Sequence, residues 1–134
     1  MIGLPSLHTL DHAQAARIWL AAEATDMRCG FDRLAEQVRA VIGQDPLSGH
    51  LFVFRSRRGD RLKILLWEQD GFVLWYKRLE SGIFKLPRTT EGTRSLELRA
   101  SELAMVLDGI DVSKLKRVPR YARISAENKE KILV

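Results

Sequence analysis

Three runs rich in branched and aromatic residues, approximately Leu51–Ser56, Leu62–Glu68 and Phe72–Arg78, follow one another with links of only a few residues. Links that short rule out crossover connections, which need a dozen or more residues, so the runs are predicted to pair as an antiparallel meander. Arg57-Arg58-Gly59-Asp60 makes the first turn, Gln69-Asp70-Gly71 the second, and Glu80-Ser81-Gly82 a third that leads into a further short strand at Ile83–Leu86. Each turn holds a glycine for the positive φ that tight reversals commonly demand. Pro87 ends the sheet run.

Upstream, Met27, Phe31, Leu34, Ala35, Val38, Val41 and Ile42 recur at three- and four-residue steps, which predicts an amphipathic helix over Asp26–Ile42 with these residues on its buried face. Thr25 or Asp26 is expected to cap its first N–H groups, Gly43 to end it in the left-handed conformation, and Gly30 to admit a closely approaching strand. Ala13–Glu23 is mixed: alanines favour helix, whereas Arg17-Ile18-Trp19-Leu20 is β-prone, and strand is the reading adopted. Downstream, Leu96-Glu97-Leu98 alternates like one more strand, and Ser101 can cap a short helix running through Leu107 and closed by Gly109. The fold class that follows is α+β: a mostly antiparallel meander packed by one main helix, with a short second helix. Residues 1–111 form one domain in this reading, and 112–134 a basic, flexible tail.

The 134 residues carry a net charge of +5, but its distribution is more informative than its sum. Residues 51–88 hold 9 basic and 4 acidic side chains and residues 112–134 hold 7 and 2, while residues 1–50 and 89–111 are net acidic. Two separated basic blocks imply a directed electrostatic face rather than a uniformly cationic surface. In the first block, Arg55, Arg57, Arg58, Arg61 and Lys63 surround a tight turn, a rigid support from which several phosphates can be reached at once. Strand alternation puts Arg61 and Lys63 on one face, opposite Leu62 and Ile64, where both would extend the cationic surface, and Lys77 and Arg78 join if their strand lies alongside. In the second block, Lys114, Lys116, Arg117 and Arg120 suit a segment that orders along a DNA backbone or a partner protein. The competing reading of the hairpin is a charged sheet edge that prevents aggregation, and that of the tail a solvated terminus.

Three stretches, Thr25 to Leu34, Asp45 to Lys63 and Trp67 to Pro87, resemble in order and spacing the small accessory protein called TnpB of IS66-class transposons, over roughly residues 15–88. The RNA-guided nucleases that share that name are unrelated and much longer. The resemblance implies a part in DNA transposition beside a separate, larger transposase, with DNA, expected at the transposon ends, and other transposon-encoded proteins as partners. It also implies a strand-like segment near Arg17–Leu20. At Cys29 the sequence departs from the family, where a basic residue is usual.

Other chemistries find little support. His8, His12 and His50 lack a metal-ligand constellation, Asp60, Glu68 and Asp70 fall near turns where acidic residues serve geometry and solubility, and no glycine-rich nucleotide loop is present. No catalytic residue, metal or cofactor is therefore assigned. Trp19, Trp67, Trp75, Phe52, Phe54, Phe72 and Tyr76 are read mainly as core, with Trp75 the aromatic most suited to a mixed aromatic and basic surface because it shares a strand face with Lys77. A single cysteine and the absence of an export signal or an apolar span of membrane length point to the cytoplasm.

Overall fold

Residues 16–114 are described by the structure, a computed structural model. Five strands form one mixed sheet: β1 (Ile18–Ala21), β2 (Leu51–Arg55), β3 (Arg61–Glu68), β4 (Gly71–Arg78) and β5 (Ser95–Leu98), in the spatial order β4-β3-β2-β1-β5. The β2-β3-β4 meander is antiparallel as expected, with Phe54 opposite Lys63 and Lys63 opposite Tyr76. β1 runs parallel to β2, Ile18 beside Leu51, and β5 returns antiparallel to β1. The strand reading of Ile18-Trp19-Leu20 therefore holds.

Every element has a physical reason to sit where it does. Strand alternation sends Ile18, Leu20, Leu51, Val53, Leu62 and Ile64 to one face, where they pack with Leu103 and Val106 of helix α2 (Ala100–Leu107). Phe52, Phe54 and Leu65 point the other way, against Leu34, Ala35 and Val38 of helix α1 (Phe31–Gln37) and its π-helical continuation Val38–Ile42. Because β2 is covered on both faces, it reads Leu-Phe-Val-Phe without polar alternation, and all four of these side chains are buried. A seven-residue α-helix has marginal stability in water, so burial of Leu34 and Val38 at 0% exposure, rather than propensity, holds α1 in place.

Several expectations are corrected in detail. The helix begins at Phe31, not Asp26: Gly30 occupies the cap position without a side-chain cap, and Asp26 instead accepts hydrogen bonds from Arg28 N–H and its guanidinium. Phe31 (47% exposed) and Val41 (38%) lie outside the buried face, because the helix starts late and ends in a wider π turn that shifts the phase of the pattern. Among the described residues no atom lies within 4 Å of a side chain built at Gly30, so close approach of a strand of the sheet does not explain that glycine. Gly43 does end the helix at φ 76°. In the second turn Gln69, not Gly71, carries the positive φ. Ile83–Leu86 is not a strand: Phe84 N–H donates to Gly59 O in the first turn (2.8 Å), so this segment wraps the hairpin tip instead of extending the sheet. At α2 the Glu102 carboxylate accepts from Arg99 N–H (2.9 Å), which fixes the helix start one residue before the predicted Ser101 cap. After Gly109, with φ 84°, Val112 packs into the core beside α2, in a short 3-10 turn at Val112–Lys114.

Candidate nucleic-acid interface

At one end of the sheet the β2–β3 turn is held from three sides. Ser56 N–H donates to Arg61 O (3.0 Å), Ser56 Oγ accepts from Arg61 N–H (3.0 Å) and donates to Asp60 (3.2 Å), and Gly59 N–H donates to Ser56 O (3.0 Å). Carbonyl oxygens of Asp60 and Gly59 then accept from Leu79 and Phe84 N–H, both at 2.8 Å. Gly59 is required here: its φ is 81°, and a side chain added to it would meet Ile83 at 3.4 Å. Arg57 and Arg58 thus project, exposed, from a backbone with almost no freedom left to lose.

The predicted cations of the hairpin and of β4 gather toward this end, on the two faces of the sheet, with one exception. Arg61 stands opposite Arg78 in the ladder and donates to Tyr76 Oη (3.3 Å), while Arg78 forms an ion pair with Glu80 at 2.9 Å. Lys77 is exposed but, lying opposite Leu62, occupies the other face from Arg61. Arg55 is half-buried, and its guanidinium donates to Ala22 O (3.1 Å). Among the described residues, no carboxylate lies in ion-pair distance of Arg55, Arg57, Arg58, Arg61 or Lys77.

Lys63 is the exception. The expected alternation is correct, but the face it shares with Arg61 is the one covered by the loop before α1, so Lys63 is only 6% exposed. Its Nζ donates to Met27 O (2.7 Å) and Cys29 O (2.8 Å) and lies 4.6 Å from the centre of the Tyr76 ring. The ammonium ties residues 27–29 to the sheet and presents no charge to a ligand. Cys29 is buried beside it, with Gln37 Nε2 3.7 Å from its sulfur.

Trp75 is likewise displaced from its expected role, being partly buried against the α2 core; Tyr76, 46% exposed, is the aromatic that accompanies Arg61. Lys114 is exposed at the closing 3-10 turn, 3.9 Å from Asp111, and Lys116, Arg117 and Arg120 lie outside the described residues. So do His8 and His12. His50 accepts a hydrogen bond from Arg17 N–H at Nδ1 (3.0 Å), and burial, followed by the nearby Arg17 charge, lowers its pKa. Among the described residues there is no grouping of three or more His, Cys, Asp or Glu fit to hold a metal ion, and no helix long and apolar enough to cross a membrane.

Concavities flank the Arg57–Arg58 turn on both sides. On the α1 side, a cleft of about 230 Å³ is bounded by Asp26, Met27, Asp60 and Arg61 as well as the turn arginines. The Arg28 hydrogen bonds hold Asp26 ionised, with its pKa lowered to about 2. On the α2 side lies a larger groove of about 450 Å³, whose lining includes Arg88 as well as Arg55 and the turn arginines. Sequence reasoning passed over Arg88 because it follows Pro87 in an irregular link; only the wrapping of residues 79–89 around the hairpin brings it near Arg57.

Comparison with known proteins agrees with this architecture's sequence signals. The family model described as IS66 Orf2 like protein matches residues 16–117. An uncharacterized protein, y4hO, of Sinorhizobium fredii (strain NBRC 101917 / NGR234) is 41% identical over 102 residues, covering 76% of this chain and 87% of the relative. A second uncharacterized protein of that strain, y4jC, is 35% identical over 107 residues, covering 80% and 90%. No solved structure matches.

Proposed function

We propose, from the premise that this chain belongs to the IS66 Orf2-like family, that it contacts DNA directly through the Arg57–Arg58 turn while a separate transposase carries out cleavage and joining. Membership in the family gives an accessory role associated with transposition. The observation that carries the finer reading is the end of the sheet itself: Arg57, Arg58 and Arg61 stand on a locked backbone with no carboxylate in ion-pair distance among the described residues. A turn held this way need not be ordered when its guanidinium groups meet phosphates, which removes the backbone part of the entropy cost. The ladder also sets Arg61 directly across from Arg78, a like-charge pairing that weakens a sheet by itself and gains a rationale if anions visit. These contacts are to phosphates, so they position the protein without reading sequence; Arg78 would extend the footprint beside Arg61, Lys77 would add a contact from the other face of the sheet, and Arg55, anchored to Ala22, would support it. Transposon ends are the expected target, and other transposon-encoded proteins the expected company. Lys114, Lys116, Arg117 and Arg120 would add backbone contacts from the C-terminal block. No catalytic residue, metal or cofactor enters this mechanism.

The test is binding of the full chain to duplex DNA over a salt series, with transposon-end and unrelated sequences, for the wild type and for a variant with Arg57, Arg58 and Arg61 all changed to Ala. Expected is a steep loss of affinity with salt, and for the variant both weaker binding and a log–log slope shallower by about 3, one unit per lost phosphate contact. A wild type that ignores duplex DNA even at low salt defeats this reading and favours the alternative, an adaptor that binds the transposase. Exposed Phe31 and Val41 on the outer side of the helical segment are the observation on which that alternative rests.

A further inference from the structure

The groove on the α2 side of the hairpin has a composition that duplex phosphates alone do not explain. Among the described residues, Arg55, Arg57, Arg58 and Arg88 line it and no carboxylate does, and the rest of its described wall is largely apolar, with Ile83, Leu86 and Pro87 beside the arginines. Ile83 is 47% exposed. A duplex offers phosphates on a convex, hydrated surface, which protruding cations meet; a concavity of about 450 Å³ falls instead in the range of small-ligand sites. An unpaired nucleotide fits both halves of the lining. Its phosphate suits the guanidinium groups, and its base has a π-face that stacks on arginine planes and apolar side chains without regard to sequence.

On these grounds we infer that the groove receives one or two unpaired nucleotides of a DNA strand that leaves the duplex at the Arg57–Arg58 turn. The inference rests on the DNA-contacting reading above and deepens it. Arg57 and Arg58 border the groove as well as forming the exposed tip, so a strand diverging from a duplex bound there meets the groove without crossing the sheet. Arg88 lines the same groove from the segment after Pro87, and Leu86 and Pro87 supply the apolar surface against which a base can lie. The protein then favours frayed ends, overhangs and branched junctions over uninterrupted duplex.

The experiment measures, at one fixed salt concentration, the affinity of the full chain for a blunt duplex and for the same duplex carrying a short single-stranded extension, with a deoxynucleoside monophosphate as competitor. Wild type is expected to bind the extended DNA about tenfold more tightly, a gain typical of stacking one base. Arg88→Ala, and separately Leu86→Ser, should remove most of that gain while leaving blunt-duplex affinity within about twofold. Arg61→Ala, outside the groove, should weaken both DNAs alike. Equal wild-type affinity for the two DNAs overturns the inference and leaves direct DNA contact standing, as does a gain that survives both groove variants. Efficient displacement by the monophosphate makes the groove a site for a free nucleotide and also overturns it. Absence of binding to either DNA overturns the inference together with the function on which it rests.

Discussion

Two cations of one hairpin, Arg57 at its tip and Lys63 within its second strand, have opposite fates. Arg57 is exposed at the sheet's end, whereas Lys63 is nearly sealed beneath the loop before α1, with two carbonyl oxygens and a tyrosine ring in place of solvent. The difference teaches that a basic run on a β-hairpin is not a basic surface. Charge at the tip is free for a partner because, among the described residues, nothing packs over the Arg57 and Arg58 side chains. Charge along the strand is free only where nothing packs on its face.

That contrast is broken or sharpened most strongly at Lys63. Lys63→Met keeps the apolar stem but leaves Met27 O and Cys29 O without their donor, and is expected to lower stability by roughly 2–4 kcal/mol in urea or thermal unfolding. A loss below about 1 kcal/mol would mean that desolvating the ammonium offsets its hydrogen bonds, and Lys63 would no longer count as a tie. Next is Gly59→Ala, which places a side chain at φ 81° and against Ile83. An expected cost of about 1–2 kcal/mol, read by the same unfolding curves, would show that the tip displaying Arg57 and Arg58 depends on this backbone conformation.

Smaller still is the effect of acid on the loop that Lys63 secures. The fold depresses the Asp26 pKa from 3.8 to about 2, so its stabilising contribution is complete above the unfolded value and disappears as pH falls from about 4 through about 2. Thermal unfolding followed between pH 5 and pH 2 should therefore show a part of the acid-induced loss that Asp26→Asn removes; identical profiles for the two proteins would detach the Arg28 bond from stability. Smallest is the change in stability from Arg57, Arg58 and Arg61 replaced together by Ala, expected within about 1 kcal/mol because these side chains are mostly free of partners. The same variant is expected to show the large DNA-binding defect. If it unfolds readily, the tip is structural and the contrast with Lys63 collapses.

The arrangement of the candidate interface was legible only in part. The hairpin with Arg57 and Arg58 at its reversal, and Arg61 beside them, follows from short-range pattern and turn chemistry. Arg88 did not: it stands 30 residues after Arg58 in the chain, and its place in the groove depends on Phe84 N–H reaching Gly59 O, a bond between segments that no local periodicity announces. Phe31 and Val41 failed for a related reason. Their spacing fits a continuous helix, but α1 starts at Phe31 and the turn at Val38–Ile42 is π-helical, so a uniform 3.6-residue phase places them on the wrong side.

Sequence alone determined the elements whose causes are local: the three meander strands with their reversals, Gly43 and Gly109 as helix ends, and a surplus of positive charge near the first turn. Local sterics and the two-residue strand period act within a few residues, so a linear reading captures them. Tertiary structure alone decided that β1 enters the sheet parallel to β2, that two helical segments cover opposite faces, that Lys63 is buried while Arg57 is not, and that Arg88 lines one groove with Arg57 and Arg58. Burial and juxtaposition are properties of surfaces brought together from distant parts of the chain. Which face is covered is set by packing, and packing is not written in any one segment.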